Sequence, residues 1–215
     1  MRRTAVIAGV GSRLGEVLVR KFATEGCQVG MLARSDRVTG ALADELGDRA
    51  LAVEADVTDP SEVSNGIDRV REAFSPVEVL VHNASAPGGG PIDDTTIGSL
   101  RETWAARAGG LVNCVRACLP DLRDVEGTVL VSGTNYAADP DPRRVEWASA
   151  AAATRGVTRA LSEEPFDATY VIISRAVSPP ESEWSGAISA DIVAERYWRL
   201  VENDDPPAEI ALGTE

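Results

Sequence analysis

Short apolar runs alternate along the chain with longer stretches in which apolar residues recur every three or four positions. The runs are residues 4–8 (TAVIA), 28–33 (QVGMLA), 50–54 (ALAVE), 78–82 (EVLVH), 127–132 (GTVLVS), 169–177 (TYVIISRAV) and 208–212 (AEIAL). Being nearly continuous rather than alternating, they predict strands buried on both faces. The stretches near 14–25, 37–46, 60–74, 96–120, 145–164 and 189–202 have the spacing of amphipathic helices. Seven strands and six helices, with no linker and no internal repeat, predict one α/β domain over residues 1–215. It is expected to be a doubly wound, mostly parallel seven-stranded sheet with helices on both faces. Right-handed crossovers then place a ligand crevice at the carboxyl ends of the strands.

Those strand ends hold the chemistry. The first leads through Ala8–Gly15 (AGVGSRLG) into a helix. Glycines there permit a tight turn and close approach to a pyrophosphate, and a helix N-terminus offers free N–H groups. Gly9, Gly11, Ser12, Arg13, Leu14 and Gly15 are therefore candidate phosphate contacts. The second strand ends in Ala33-Arg34-Ser35, without the carboxylate that accepts from ribose hydroxyls in NAD sites. The Arg34 guanidinium suits a 2′-phosphate, which favours NADP over NAD, although Asp36 lies close by. After the third strand, Asp59 or Thr58 reads as a helix cap with Pro60 at the first turn, leaving Asp56 for an adenine. The fourth ends in His82-Asn83-Ala84-Ser85, before a loop rich in glycine and proline. Near the end of the chain, Ser189 is positioned to cap the last helix.

Net charge is −13, which disfavours nucleic acid and anionic membrane as partners. Lys21 is the only lysine. Such a composition fits either a salt-adapted cytoplasm or a GC-rich genome. Cys27, Cys114 and Cys118 lack metal-ligand spacing; the last two share a helix face and read as packing, so no metal is expected. Reduced thiols, no stretch of membrane-spanning length and no cleavage pattern after Met1-Arg2-Arg3 predict a cytoplasmic protein.

Taken together, AGVGSRLG, ARS, ADVTD, HNAS and RAVSPP resemble, in order and spacing, five motifs of the short-chain dehydrogenase/reductase family. AGVGSRLG stands for its Thr-Gly-x-x-x-Gly-x-Gly, HNAS for Asn-Asn-Ala-Gly and RAVSPP for Asn-x-x-x-Pro-Gly. The resemblance implies a Rossmann-type fold and a nicotinamide dinucleotide held also by Asp56, Val57, Asn83, Ala84 and Pro179. It implies a small carbonyl or alcohol substrate and a homodimer or homotetramer built on helices 96–120 and 145–164.

In that family a tyrosine is the acid/base, a lysine four residues later lowers its pKa, a serine thirteen residues earlier orients the substrate, and an asparagine completes a proton relay. Here Trp147, Ala151, Thr134 and Arg107 stand at those positions. Arg13 replaces the middle glycine of the phosphate loop, Ser85 the last glycine of the fourth-strand turn, and Pro180 the glycine after Pro179. Arg13 either crowds the pyrophosphate or swings out to join Arg34, while Gly11 is placed to restore the turn. Tyr136 is the nearest replacement phenol, with Arg107 or Arg144 as its cation; otherwise it packs beneath residues 138–142. An indole N–H donates but is no acid/base. The leading expectation is thus a nucleotide-responsive or partner-binding subunit that keeps NADP but lacks hydride transfer. The alternatives are an active NADP-dependent oxidoreductase with Thr134 and Tyr136 as catalytic groups, and a structural protein that binds no nucleotide.

Overall fold

On the first strand, β1 (Thr4–Ala8), every residue is buried, and alternate residues feed two cores. Ala5 and Ile7 face one, with residues of helices α1 (Leu14–Thr24) and α7 (Ala190–Val201). Val6 and Ala8 face the other, with α3 (Pro60–Ala73) and α5 (Gly110–Asp124). A period of two on a strand apolar throughout can be satisfied only by a helical layer on each face. The computed structural model describes residues 2–86, 88–179, 181–182 and 184–213.

The remaining elements are β2 (Gln28–Ala33), α2 (Asp36–Leu46), β3 (Ala50–Glu54), β4 (Val79–His82), α4 (Ile97–Trp104), β5 (Thr128–Thr134), α6 (Val145–Leu161), β6 (Asp167–Ile173), β7 (Val177–Ser178), β8 (Ile188–Ser189) and β9 (Glu209–Leu212). The main sheet has seven strands in the order β3-β2-β1-β4-β5-β6-β9. Every pairing in it is parallel. The order reverses between β1 and β4, and a crevice opens there at the strand carboxyl ends.

Local signals set several boundaries as expected. Asp59 accepts from the N–H groups of Ser61 and Glu62, with Pro60 at the first helical position. Ser189 accepts from Asp191 N–H. The three cysteines are free and buried, and burial pushes the Cys114 thiol up to about 12.

Three expectations need correction. The run 169–177 is not one strand: the ladder ends at Ile173 beside Leu212, Ser174–Ala176 leave the sheet, and Val177–Ser178 pair with Ile188–Ser189 instead. The helix expected to end near 120 continues through Pro120 to Asp124. Its buried stripe of Leu111, Cys114, Cys118 and Leu122 outweighs the one N–H that proline lacks. Nor is that helix continuous, because α4 and α5 are joined by a π-helical turn, Ala105–Gly109. There the helix presses on the sheet: a Cβ on Gly110 would lie 2.8 Å from Val57 and 3.2 Å from the His82 ring. Such turns are frequent at functional sites.

Candidate active site

The turn from β1 into α1 is shaped by contact with its neighbour. Gly9 has φ +91°, and a Cβ on it would stand 2.4 Å from the Ala84 backbone. A Cβ on Gly15 would meet Val10 at 2.8 Å. Above Gly11 there is no atom within 4 Å, and its φ is outside the left-handed region. Gly9 therefore makes the turn and Gly11 does not, a correction to the compensating role expected of Gly11. No side chain caps α1; Leu14 and Gly15 of its first turn line the crevice, while Glu16 N–H donates to the Gly11 carbonyl at 3.0 Å. This loop is held from below. Asn83 Nδ2 donates to the Gly9 carbonyl at 2.9 Å, and Asn83 Oδ1 accepts from Ser132 Oγ at 2.8 Å. Ser132 in turn pairs with the buried Tyr197 hydroxyl at 2.7 Å. The ends of β1, β4 and β5 are thereby tied to α7.

The crevice has two halves that meet over Gly9 and Gly11. The half beside β2 and β3, about 520 Å³, is lined by Arg34, Asp56, Val57 and Ala84 among others. Arg34 is exposed and forms no ion pair among the described residues. Asp56 Oδ1 accepts from the N–H and hydroxyl of Thr58, which fixes its own turn. Arg13 is not in this half. Its guanidinium lies 5.9 Å over the Trp184 ring, so the expected partnership with Arg34 is corrected. Pro179 is elsewhere too, lining a groove between α1 and α7.

The half beside β5 and β6, about 770 Å³, brings Thr134 and Tyr136 together with Ser12, Asn83, Ser85, Arg107 and Trp147. Tyr136 packs its ring edge to face with Trp147, the centres 6.3 Å apart. Two polar atoms on this wall, Thr134 Oγ1 and Trp147 Nε1, are shielded from solvent and have no partner in the protein. Native interiors rarely leave such groups unsatisfied, and a ligand or bound water is the usual explanation. Arg107, on the π-helical turn, is only 7% exposed. Its Nε donates to Ser85 Oγ at 3.2 Å and its guanidinium carbon lies 4.8 Å from the Trp147 ring centre. Burial disfavours its charged form, yet a guanidinium remains protonated in proteins.

Beneath this wall lies Tyr170, a residue that sequence reasoning did not single out. Its hydroxyl donates to the Ala151 carbonyl at 3.4 Å and accepts from Thr134 N–H at 3.3 Å. It is fully buried, and burial raises its pKa. The phenol thus sits under Ala151, where the family pattern has lysine, and it needs Gly133, whose Cβ would fall 2.1 Å from the ring. The Ser132–Tyr197 pair was missed as well. No pattern flagged any of them, since each looks like an ordinary strand or helix residue. The one signal within reach was that Ser85 and Arg107 both depart from the family pattern; the structure joins them. His82 is buried, with neither ring nitrogen hydrogen-bonded, and Ser132 bonds to Asn83 rather than to it. Burial pushes its pKa down from 6.5 to about 4, so it is neutral near pH 7.

A parallel sheet in this order, with a glycine turn after β1 and a crevice at the strand ends, defines the class of Rossmann-type proteins. The chain belongs to the short chain dehydrogenase family, whose profile matches residues 3–181. It is 32% identical over 167 residues to oxidoreductase UcpA of Escherichia coli, covering 75% of this chain and 63% of that protein. Against meso-2,3-butanediol dehydrogenase of Serratia marcescens it is 27% identical over 161 residues, covering 74% of this chain and 64% of that protein. The chain thus spans somewhat under two thirds of these relatives' lengths. An alcohol dehydrogenase from Thermococcus sibiricus, solved with 5-hydroxy-NADP, superposes with a TM-score of 0.89 at 21% identity, covering 99% of this chain and 96% of that one. These findings correct the leading expectation of a subunit without hydride-transfer chemistry. The relatives matched over about three quarters of the chain are named as dehydrogenases and oxidoreductases, which favours an active enzyme. No described helix is long and apolar enough to cross a membrane, and no described cluster of His, Cys, Asp and Glu could hold a metal.

Proposed function

We propose that the protein is an NADP(H)-dependent oxidoreductase acting on a carbonyl or alcohol group. The residues present fit a dinucleotide. Gly9 and Gly15 bring backbone to within contact of its neighbours, the space over Gly11 is open, and the first turn of α1, which no side chain caps, lines the crevice. Gly9, Gly11, Ser12, Leu14 and Gly15 would hold the pyrophosphate, with Arg13 beside them. Arg34 would take a 2′-phosphate, and Asp56, Val57 and Ala84 the adenosine. Asn83 acts by holding the Gly9 turn. When bound, the cofactor supplies the hydride.

The observation that carries the reading is the pair of unpartnered atoms on the inner wall, Thr134 Oγ1 and Trp147 Nε1. Donors waiting in a shielded wall suit an oxygen that gains negative charge as a carbonyl becomes an alkoxide. Thr134 orients that oxygen. Tyr136, which lines the same cavity and packs against Trp147, would return the proton. Trp147 gives a hydrogen bond without exchanging a proton. With neither the usual tyrosine nor its lysine, turnover is expected to be slower by the roughly 10²–10⁴-fold that general acid catalysis contributes. Assembly through α4, α5 and α6 belongs to the same proposal, supported by the exposed Ile97, Trp104 and Val112.

The test is NADPH and NADH binding by calorimetry, followed by NADPH consumption against a panel of aldehydes and ketones. NADPH should bind the tighter, and Arg34→Ala should weaken it about 10- to 100-fold while sparing NADH. Thr134→Val and Tyr136→Phe should each lower kcat about 10-fold or more. Bound NADPH without turnover of any carbonyl compound, or turnover indifferent to both substitutions, overturns the reading.

A further inference from the structure

Three departures from the family pattern converge on one side chain. Arg107 replaces the asparagine, Ser85 the glycine and Trp147 the tyrosine. Ser85 Oγ accepts from Arg107 Nε at 3.2 Å, and the Trp147 ring lies 4.8 Å from the guanidinium carbon. Three unrelated losses would not be expected to assemble into one clamp. The serine fixes the side chain at Nε and the indole supports the guanidinium by cation–π attraction. The two Nη groups remain without a protein partner among the described residues.

The charge balance around it is inverted. The chain carries 34 acidic residues against 21 lysines and arginines. Yet no Asp or Glu is among the described residues lining this half of the crevice, while four arginines are: Arg13, Arg107, Arg144 and Arg175. None of the four belongs to an ion pair among the described residues, although nine other basic residues do. Three are exposed; Arg107 alone is buried, against the Trp147 ring, and it lines the same half of the crevice as Thr134 and the glycine turn. Burying a cation without a counter-ion carries a free-energy cost that a bound anion would offset, and a planar fork of N–H donors matches a carboxylate.

We propose that the substrate is an oxo acid, or the matching hydroxy acid, whose carboxylate is received by Arg107 while its oxygen lies at Thr134. The inference deepens the oxidoreductase reading of the same crevice and rests on it. Arg107 is then the specificity-determining residue and Ser85 a positioning residue that holds its plane, while Trp147 supports the guanidinium with its ring and keeps its N–H for the reacting oxygen.

The experiment compares NADPH consumption with α-, β- and γ-oxo acids against their methyl esters. In parallel, the NADPH-loaded protein is titrated with malonate and succinate against the neutral diamides, followed by tryptophan fluorescence. One oxo acid should exceed its ester in kcat/KM by about 10- to 100-fold, mostly through KM. Arg107→Asn should bring that ratio to within about 3-fold, and Arg107→Lys should keep part of it. Ser85→Gly, which frees Nε alone, should raise KM for the acid about 3- to 10-fold. Dicarboxylate binding should follow the same order, with thermal unfolding confirming that each variant is folded. Equal use of acids and esters overturns the inference and leaves the oxidoreductase reading standing. Dicarboxylate binding that depends on Arg107, without turnover of any carbonyl compound, supports anion recognition while the oxidoreductase reading falls. Binding indifferent to Arg107 overturns the inference on its own.

Discussion

His82 offers a quantitative test of how tightly the π-helical turn is packed on the sheet. The imidazole is 1% exposed and neither nitrogen has a hydrogen-bond partner. Burial, with a smaller contribution from the Arg107 charge, lowers its pKa from 6.5 to about 4. Since the folded-state value is depressed, the unfolded chain binds the extra proton as pH falls below about 6.5. Stability is therefore fully present above that pH, declines through the window down to about 4, and has no further His82 slope below it. At about 1.4 kcal/mol per pH unit, the whole window is worth about 3 kcal/mol, of which about 2 is lost by pH 5. Asp59, Asp141, Glu146 and Glu195 are also held below their ordinary values, so raw acid destabilisation mixes several groups. Comparison with His82→Asn, the residue of the family pattern, removes them. Urea midpoints measured between about pH 7.5 and pH 5 should fall by about 1 M more in the parent than in the variant. Parallel pH profiles would refute the argument, because they would mean that His82 is protonated in the folded protein at little cost.

The steric fit of Tyr170 to Gly133 makes Gly133→Ala an overpacking change. It should cost about 3 kcal/mol and lower Tm by about 6–12 °C, with at least half recovered when Tyr170→Val is added; a single variant within about 1 °C of the parent refutes the fit. Asn83→Ala removes both the bond to the Gly9 carbonyl and the acceptor of Ser132. A loss of about 1–3 kcal/mol by urea unfolding is expected, with weakened NADPH binding, and unchanged values for both would contradict the cross-link. Restoring the family pair with Trp147→Tyr and Ala151→Lys should lower Tm and give no gain in turnover. Ala151 is fully buried over the Tyr170 hydroxyl, and a new ammonium would enter a site that already holds Arg107; a tenfold rise in kcat would refute this.

The strands and the helix caps were legible because each depends on nearby residues: a run of apolar side chains, an aspartate before a proline, a serine before the last helix. The break after Ile173 was not, since it is decided by where β9 ends, some forty residues away. The passage of α5 through Pro120 was equally hidden, because a buried stripe overrules a local stop signal. At the site, the sequence identified Thr134, Trp147, Ala151 and Arg107 as occupants of the chemical positions and Tyr136 as the nearest replacement phenol. It could not show that Arg13 turns to Trp184, or that Ser85 and Arg107 touch, since these contacts join residues of different elements.

That contact changes how the departures are weighed. A lost lysine and a lost tyrosine, counted one by one, read as decay of an active site, and decay leaves voids or unrelated replacements. Here the space beneath Ala151 is filled by a buried phenol with two hydrogen-bond partners, and that phenol fits only because residue 133 is glycine. The arginine at the asparagine position is gripped from both sides by two further replacements. Burying a guanidinium without a counter-ion costs several kcal/mol. A chain relieved of function would lose that charge by a single substitution. Its retention in a packed wall beside two unsatisfied donors fits a site whose ligand brings the missing negative charge.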